Sequence, residues 1–157
     1  MVDKKKITAF VKEQLDENMF LVEVNVNASN VIKVFIDSFE GLTIDQCVQI
    51  SRGLEQKLDR DKEDFELQVS SPGLSEPFRV KEQYLKNVGH NVEIVTAEGI
   101  KLEGELLDAG DEEIVLKTAK RERVEGHKKK QLIVKEHQLK YGEIKSAKVV
   151  VSFKKAN

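Results

Sequence analysis

Both prolines of this 157-residue chain, Pro72 and Pro77, fall in one short stretch that separates two segments of different periodicity. Proline has no N–H to give to a sheet ladder, and a glycine beside it can take a positive φ at no steric cost. The run Ser70-Ser71-Pro72-Gly73-Leu74 therefore ends the element that precedes it. Helical and strand patterns alternate before it; strands and turns dominate after it. Charge divides near the same place. Residues 1–80 carry ten Lys/Arg against fifteen Asp/Glu, and residues 81–157 carry sixteen against thirteen, so the two parts stand at −5 and +3. That asymmetry points to two modules with different partners.

In the first segment, Ile7, Phe10, Val11, Gln14 and Leu15 fall at i, i+3, i+4, i+7 and i+8, the spacing of an amphipathic helix. The period then becomes two. Phe20, Val22, Val24 and Val26 alternate with Leu21, Glu23, Asn25 and Asn27, as one buried sheet face requires. Asn27-Ala28-Ser29-Asn30 is turn chemistry, and residues 31–37 return as the second strand of an antiparallel hairpin. Thr43 and Gln46 have the spacing of a capping box for the next helix, with Ile44, Cys47, Val48, Ser51, Leu54 and Leu58 as its buried stripe. After a charged loop over 59–64, Phe65, Leu67 and Val69 alternate as a third strand. The order predicts an α+β domain of two helices on a three-stranded sheet, spanning residues 1–74.

Residues 75–90 read as a junction in which Ser75 caps a short helix through Tyr84, Leu85 and Val88, ending near Gly89. Strand patterns follow at 92–95, 100–107, 114–117, 131–134 and 147–153, with turns at Ala97-Glu98-Gly99 and Asp108-Ala109-Gly110-Asp111 and a short segment at 136–141. Five short strands in so few residues predict a small closed five-stranded β-barrel of SH3-like type over 91–157. Gly104 in mid-strand marks where such a barrel bends sharply.

Several chemistries are disfavoured. Cys47 is the single cysteine, so no intramolecular disulfide forms, and a small buried hydrophobe is the reading for it. His90, His127 and His137 are scattered, without metal-ligand spacing, and no metal or cofactor is expected. P-loop, dinucleotide-binding and nucleophile-elbow motifs are missing. Ser70 and Ser71 lack a local base to activate them, so they read as part of a turn, and the chain reads as no enzyme. The apolar run after Lys4-Lys5-Lys6 is cut by Lys12-Glu13, and no stretch reaches a membrane-spanning length. The expectation is a cytoplasmic protein without a membrane partner. There is no tryptophan, and aromatic residues make up only 6% of the chain, which argues against recognition by rings stacked on bases.

Two segments remain as candidate binding elements. Between residues 117 and 130, Lys117, Lys120, Arg121, Arg123, Lys128, Lys129 and Lys130 face only Glu122 and Glu125. On a loop projecting from a barrel, such charge attracts phosphates without reading sequence. The competing reading is a solvated hairpin tip whose lysines keep an edge from pairing, and composition by itself leans that way. Ser70, Ser71, Pro72, Gly73 and Leu74 form either a stiff turn or an exposed contact loop on a rigid scaffold.

Taken in order, Val34-Phe35-Ile36-Asp37, Gly41-Leu42-Thr43-Ile44-Asp45-Gln46-Cys47, Ser51-Arg52 and Leu67-Gln68-Val69-Ser70-Ser71-Pro72-Gly73-Leu74 resemble the RimP family of ribosome maturation factors. Gly89, Val92-Glu93-Ile94, Gly104-Glu105-Leu106 and Ile144-Lys145-Ser146-Ala147 extend the resemblance over nearly the full length. The resemblance implies an N-terminal α+β domain followed by an Sm/SH3-like barrel. It also implies a non-enzymatic factor that binds the precursor of the small (30S) ribosomal subunit and helps a ribosomal protein join near the decoding region; docking through protein and RNA, as a monomer, is the expectation. The alternative is a stand-alone RNA-binding regulator that uses the barrel and its basic loop. The chain departs from the family at Ser75-Glu76-Pro77-Phe78, where D-R-P-L is usual. Glu76 replaces the arginine, so any phosphate contact by that arginine is not carried over.

Overall fold

The computed structural model describes residues 3–58 and 64–150, and the chain divides into two compact units, 1–73 and 74–157. In the first unit, helix α1 (Lys4–Gln14) is followed by strands β1 (Met19–Val26) and β2 (Val31–Ser38), helix α2 (Ile44–Lys57) and strand β3 (Glu66–Ser70). The sheet order is β1-β2-β3. The β1–β2 pair is an antiparallel hairpin, whereas β3 runs parallel to β2 after the crossover through α2. Its turn is local chemistry: Asn27 Oδ1 accepts from the N–H groups of Ser29 and Val31 at 2.9 and 3.0 Å, and Asn30 sits at φ 58°.

Helix α2 starts where its capping residues require. Thr43 Oγ1 accepts from the Gln46 N–H at 3.1 Å, and Gln46 Oε1 accepts from the Thr43 N–H at 2.9 Å. The buried side of the helix differs from the predicted stripe. Ile50 and Leu54 enter the core, with Cys47 and Leu58 packed at its margin, while Ile44 and Val48 face outward. The core between helices and sheet is Ile7, Val11, Val24, Ile32, Val34, Ile36, Ile50, Leu54 and Phe65.

Strand β1 also departs from simple alternation. Its register shifts between Leu21 and Glu23, a one-residue irregularity that moves later side chains to the other face. Met19, Leu21, Val24 and Val26 therefore pack toward the helices. Phe20 alternates to the opposite side, its ring centroid 5.0 Å from that of Phe39. The charged loop expected over 59–64 falls mostly outside the described residues.

In the second unit, helix α3 (Lys81–Lys86) precedes strands β4 (Asn91–Thr96), β5 (Lys101–Ala109), β6 (Glu113–Glu122) and β7 (Gln131–Lys140). A 3₁₀ turn (Tyr141–Glu143) leads to β8 (Ile144–Val149). The strands form one antiparallel sheet in the order β7-β6-β5-β4-β8, in which the last strand returns to pair with the first. That order is SH3-like, and the whole chain is α+β. Residues 131–140 form one strand where two pieces were predicted, and the predicted strand residues 151–153 lie outside the described residues. Ser75 does not cap α3. The side-chain oxygen of Gln83 instead accepts from the N–H groups of Arg79 and Val80 at the helix start. Gly73 is not among the glycines at positive φ, which are Gly41, Gly89, Gly99 and Gly126 among the described residues.

The second core joins Tyr84 of α3 to Val92, Ile94, Leu106, Ala109, Ile114, Leu116 and Ala147. Helix α3, within the stretch read from sequence as a junction, thus contributes to this core. Tyr84 stands edge-on to Phe78 and Tyr141, with centroids 4.9 and 5.1 Å apart. Strand β5 changes neighbours along its length: Lys101 to Glu105 pair with β4, and Glu105 to Ala109 pair with β6. At the changeover, a Cβ on Gly104 would meet the backbone carbonyl of Lys117, so only glycine fits without a backbone shift.

Replacing Gly104 with alanine is expected to destabilise the protein by roughly 1–3 kcal/mol, the usual range for overpacking, and to lower the thermal midpoint in a circular-dichroism melt. An unchanged midpoint would show that the β5–β6 approach can relax.

Tyr84 and Tyr141 are the chain's two tyrosines. Burial, reinforced by the neighbouring Tyr141, pushes Tyr84 from 10.0 up to about 12. Tyr141 is raised by burial and then by Asp108 and Asp111. The folded unit thus keeps phenol protons that the unfolded chain loses near pH 10, so this stabilisation is complete below pH 10 and disappears as pH rises through about 12. Urea melts between these values should show a smaller alkaline loss of stability in Tyr84→Phe than in wild type.

Candidate nucleic-acid interface

The strand ladders place the first part of the basic segment, 117–122, on a β-ribbon, and the loop expected from sequence is confined to residues 123–130. Strand β6 keeps β5 as a neighbour only as far as Lys117. Beyond that point its partner is β7, through the pairs Thr118–Lys135, Ala119–Val134, Lys120–Ile133, Arg121–Leu132 and Glu122–Gln131. The turn that closes the ribbon occupies residues 123–130 and carries Arg123, Lys128, Lys129 and Lys130, all exposed.

Alternation assigns the side chains to two faces. Leu116 is fully buried and pairs with His137, so Thr118, Lys120, Lys135 and Ile133 continue the core-facing side past the end of the core. They line an open groove of about 900 Å³ together with Gly104 and His137. The Thr118 hydroxyl and His137 Nε2 lie 3.0 Å apart within it. The opposite face carries Lys117, Ala119 and Arg121 from β6, with Leu132 and Val134 from β7. Leu132 and Val134 are 57% and 49% exposed, unusual for aliphatic side chains on a strand.

The cations of the ribbon form no close ion pair among the described residues, although Glu105 and Glu136 stand opposite Lys117, and Glu103, Glu105 and Glu122 share the groove. No cation between residues 117 and 135 lies within 4.0 Å of a carboxylate among the described residues. Elsewhere on the same sheet, Glu93 meets both Lys101 at 3.5 Å and Lys148 at 3.9 Å. Lys135, Thr118 and His137 did not stand out in the sequence. Their signal was the strand period running unbroken through residues 131–140, which the charged pair Lys135-Glu136 obscured.

The Ser70–Leu74 candidates lie elsewhere. Ser70 ends β3 opposite Phe35 of β2, and Ser71, Gly73 and Leu74 are exposed while Pro72 is half-buried. Leu74 is 68% exposed and is the first residue of the second unit. These residues and the basic ribbon belong to different elements. Cys47 is half-buried, and burial pushes its thiol up, away from the reactive thiolate. Among the described residues, no three His, Cys, Asp or Glu side chains are grouped to hold a metal ion, and no helix is long and apolar enough to cross a membrane.

Comparison with known proteins adds an independent line. The RimP N-terminal domain family matches residues 7–75. Three curated relatives carry the name ribosome maturation factor RimP. The protein of Christiangramia forsetii is 39% identical over 96% of this chain and 99% of its own length. That of Flavobacterium psychrophilum is 34% identical over 98% and 100%, and that of Porphyromonas gingivalis 35% over 94% and 97%. With identity at this level running from end to end through both units, the chain belongs to the RimP family of ribosome maturation factors.

Proposed function

We propose that this protein binds the precursor of the small (30S) ribosomal subunit and assists a ribosomal protein to join it near the decoding region, as a monomer in the cytoplasm and without catalysing a reaction. The observation that carries this reading is the full-length similarity to ribosome maturation factors, which covers both units and not one module alone. Ser70, Ser71, Pro72, Gly73 and Leu74 are the proposed protein contact. They are mostly exposed and follow directly on the end of β3. Lys117, Lys120, Arg121, Arg123, Lys128, Lys129 and Lys130 are the proposed rRNA contact, where unneutralised charge meets phosphate.

Gradient sedimentation of a lysate at low salt tests the proposal. The protein is expected to travel with free small subunits and their precursors. If it stays at the top of the gradient, the assembly role fails. If it then co-purifies with RNA that is not ribosomal, it is a stand-alone RNA-binding regulator.

A further inference from the structure

We infer that the β6–β7 ribbon is a sequence-independent clamp for the phosphate backbone of double-stranded RNA. The inference deepens the proposed function, from which it takes only that the target contains RNA.

Shape is the first argument. From Lys117 to Glu122 the ribbon extends beyond the sheet that roots it. At roughly 3.4 Å per residue, that is a two-stranded arm of about 17 Å. Between residues 118 and 135 it carries seven Lys/Arg against two Glu. These cations occupy both faces and the tip: Lys120 and Lys135 on the groove side, Arg121 on the other, and Arg123, Lys128, Lys129 and Lys130 at the end. An acidic peptide docking as a strand or helix meets one face. An arm lying between two rows of phosphates meets negative charge on both, and this ribbon has cations on both.

The ligand class follows from what the ribbon lacks. Single-stranded nucleic acid is usually held by bases stacked on aromatic rings. Residues 112–140 contain no Phe, Tyr or Trp. A-form duplexes are recognised instead by shape and by contacts to phosphates and 2′-hydroxyls. Thr118 and Gln131, on the same face as Lys120, supply neutral hydrogen-bonding groups for such contacts.

Fluorescence anisotropy with the full-length protein tests this, using an RNA hairpin with a stem of about 16 base pairs and an oligouridine of equal charge. The hairpin is expected to bind more tightly. The triple variant Lys128→Glu, Lys129→Glu, Lys130→Glu and the double variant Lys120→Glu, Lys135→Glu should each weaken it at least about tenfold and flatten the salt dependence by roughly one unit of slope per lost contact. Both sets are exposed, and thermal midpoints matching the wild type are the check that the variants fold. Oligouridine binding as well as the hairpin, or binding unchanged in both variants, overturns the inference. So does equal competition by polyglutamate of the same charge, which would assign the ribbon to an acidic protein segment. Protein that joins small subunits but ignores the hairpin overturns the ribbon's role alone. Protein that clamps the hairpin through these lysines yet never joins subunits overturns the assembly role alone.

Discussion

Strand β5 serves two neighbours in succession, and the form of the second unit depends on where it changes from one to the other. Its first residues pair with β4 and its last with β6, and the exchange falls at Gly104 and Glu105. Such a bend brings the β5 backbone against the Lys117 carbonyl, a separation that leaves no room for Cβ. Leu106 and Leu116, fully buried just inside this crossing, anchor it to the core. Once β5 has turned away, β6 has only β7 as a partner among the described residues. The ribbon is thus a consequence of the bend, and the groove is the space the departing strand leaves beneath it.

What the sequence revealed and what it hid follow from how local each determinant is. The α2 cap was legible because Thr43 and Gln46 satisfy one another across a single turn. The alternation of β2 was legible because Ile32, Val34 and Ile36 are all fully buried on one face. The phase of α2 was not. Ile44 and Val48 continue an apolar spacing as plausible as that of Cys47, Ile50, Leu54 and Leu58, and packing against α1 and the sheet selects the second. The β1 irregularity was hidden for a related reason. A bulge reverses the faces of a strand with no residue type required to announce it.

In the second unit, the errors came from charged residues in strands and from distant partners. Lys135 and Glu136 looked like an interruption, yet a strand with no ladder on its outer side among the described residues tolerates charge and benefits from it as protection against pairing. The start of α3 depends on Gln83 reaching back to two N–H groups, a role that the serine at position 75 is too far away to fill. Gly104, by contrast, was recognisable as a bending point. A glycine within an otherwise regular strand pattern has few other structural uses.

The candidate interface was visible as charge and invisible as shape. A run of lysines reads the same whether it sits on a mobile loop, an edge that repels other strands or a binding arm. Register separates these cases. Protecting an edge requires only a few charges. Like charges held on neighbouring positions of a ribbon are mutually destabilising. This chain neutralises lysines where it has a structural reason to, as Glu93 does between Lys101 and Lys148. On the ribbon it leaves Lys120 and Lys135 diagonal to one another across β6 and β7, with no carboxylate within 4.0 Å of either among the described residues. In the proposed clamp phosphates supply negative charge to that arrangement, so the pattern that weakens the free ribbon would favour the bound one.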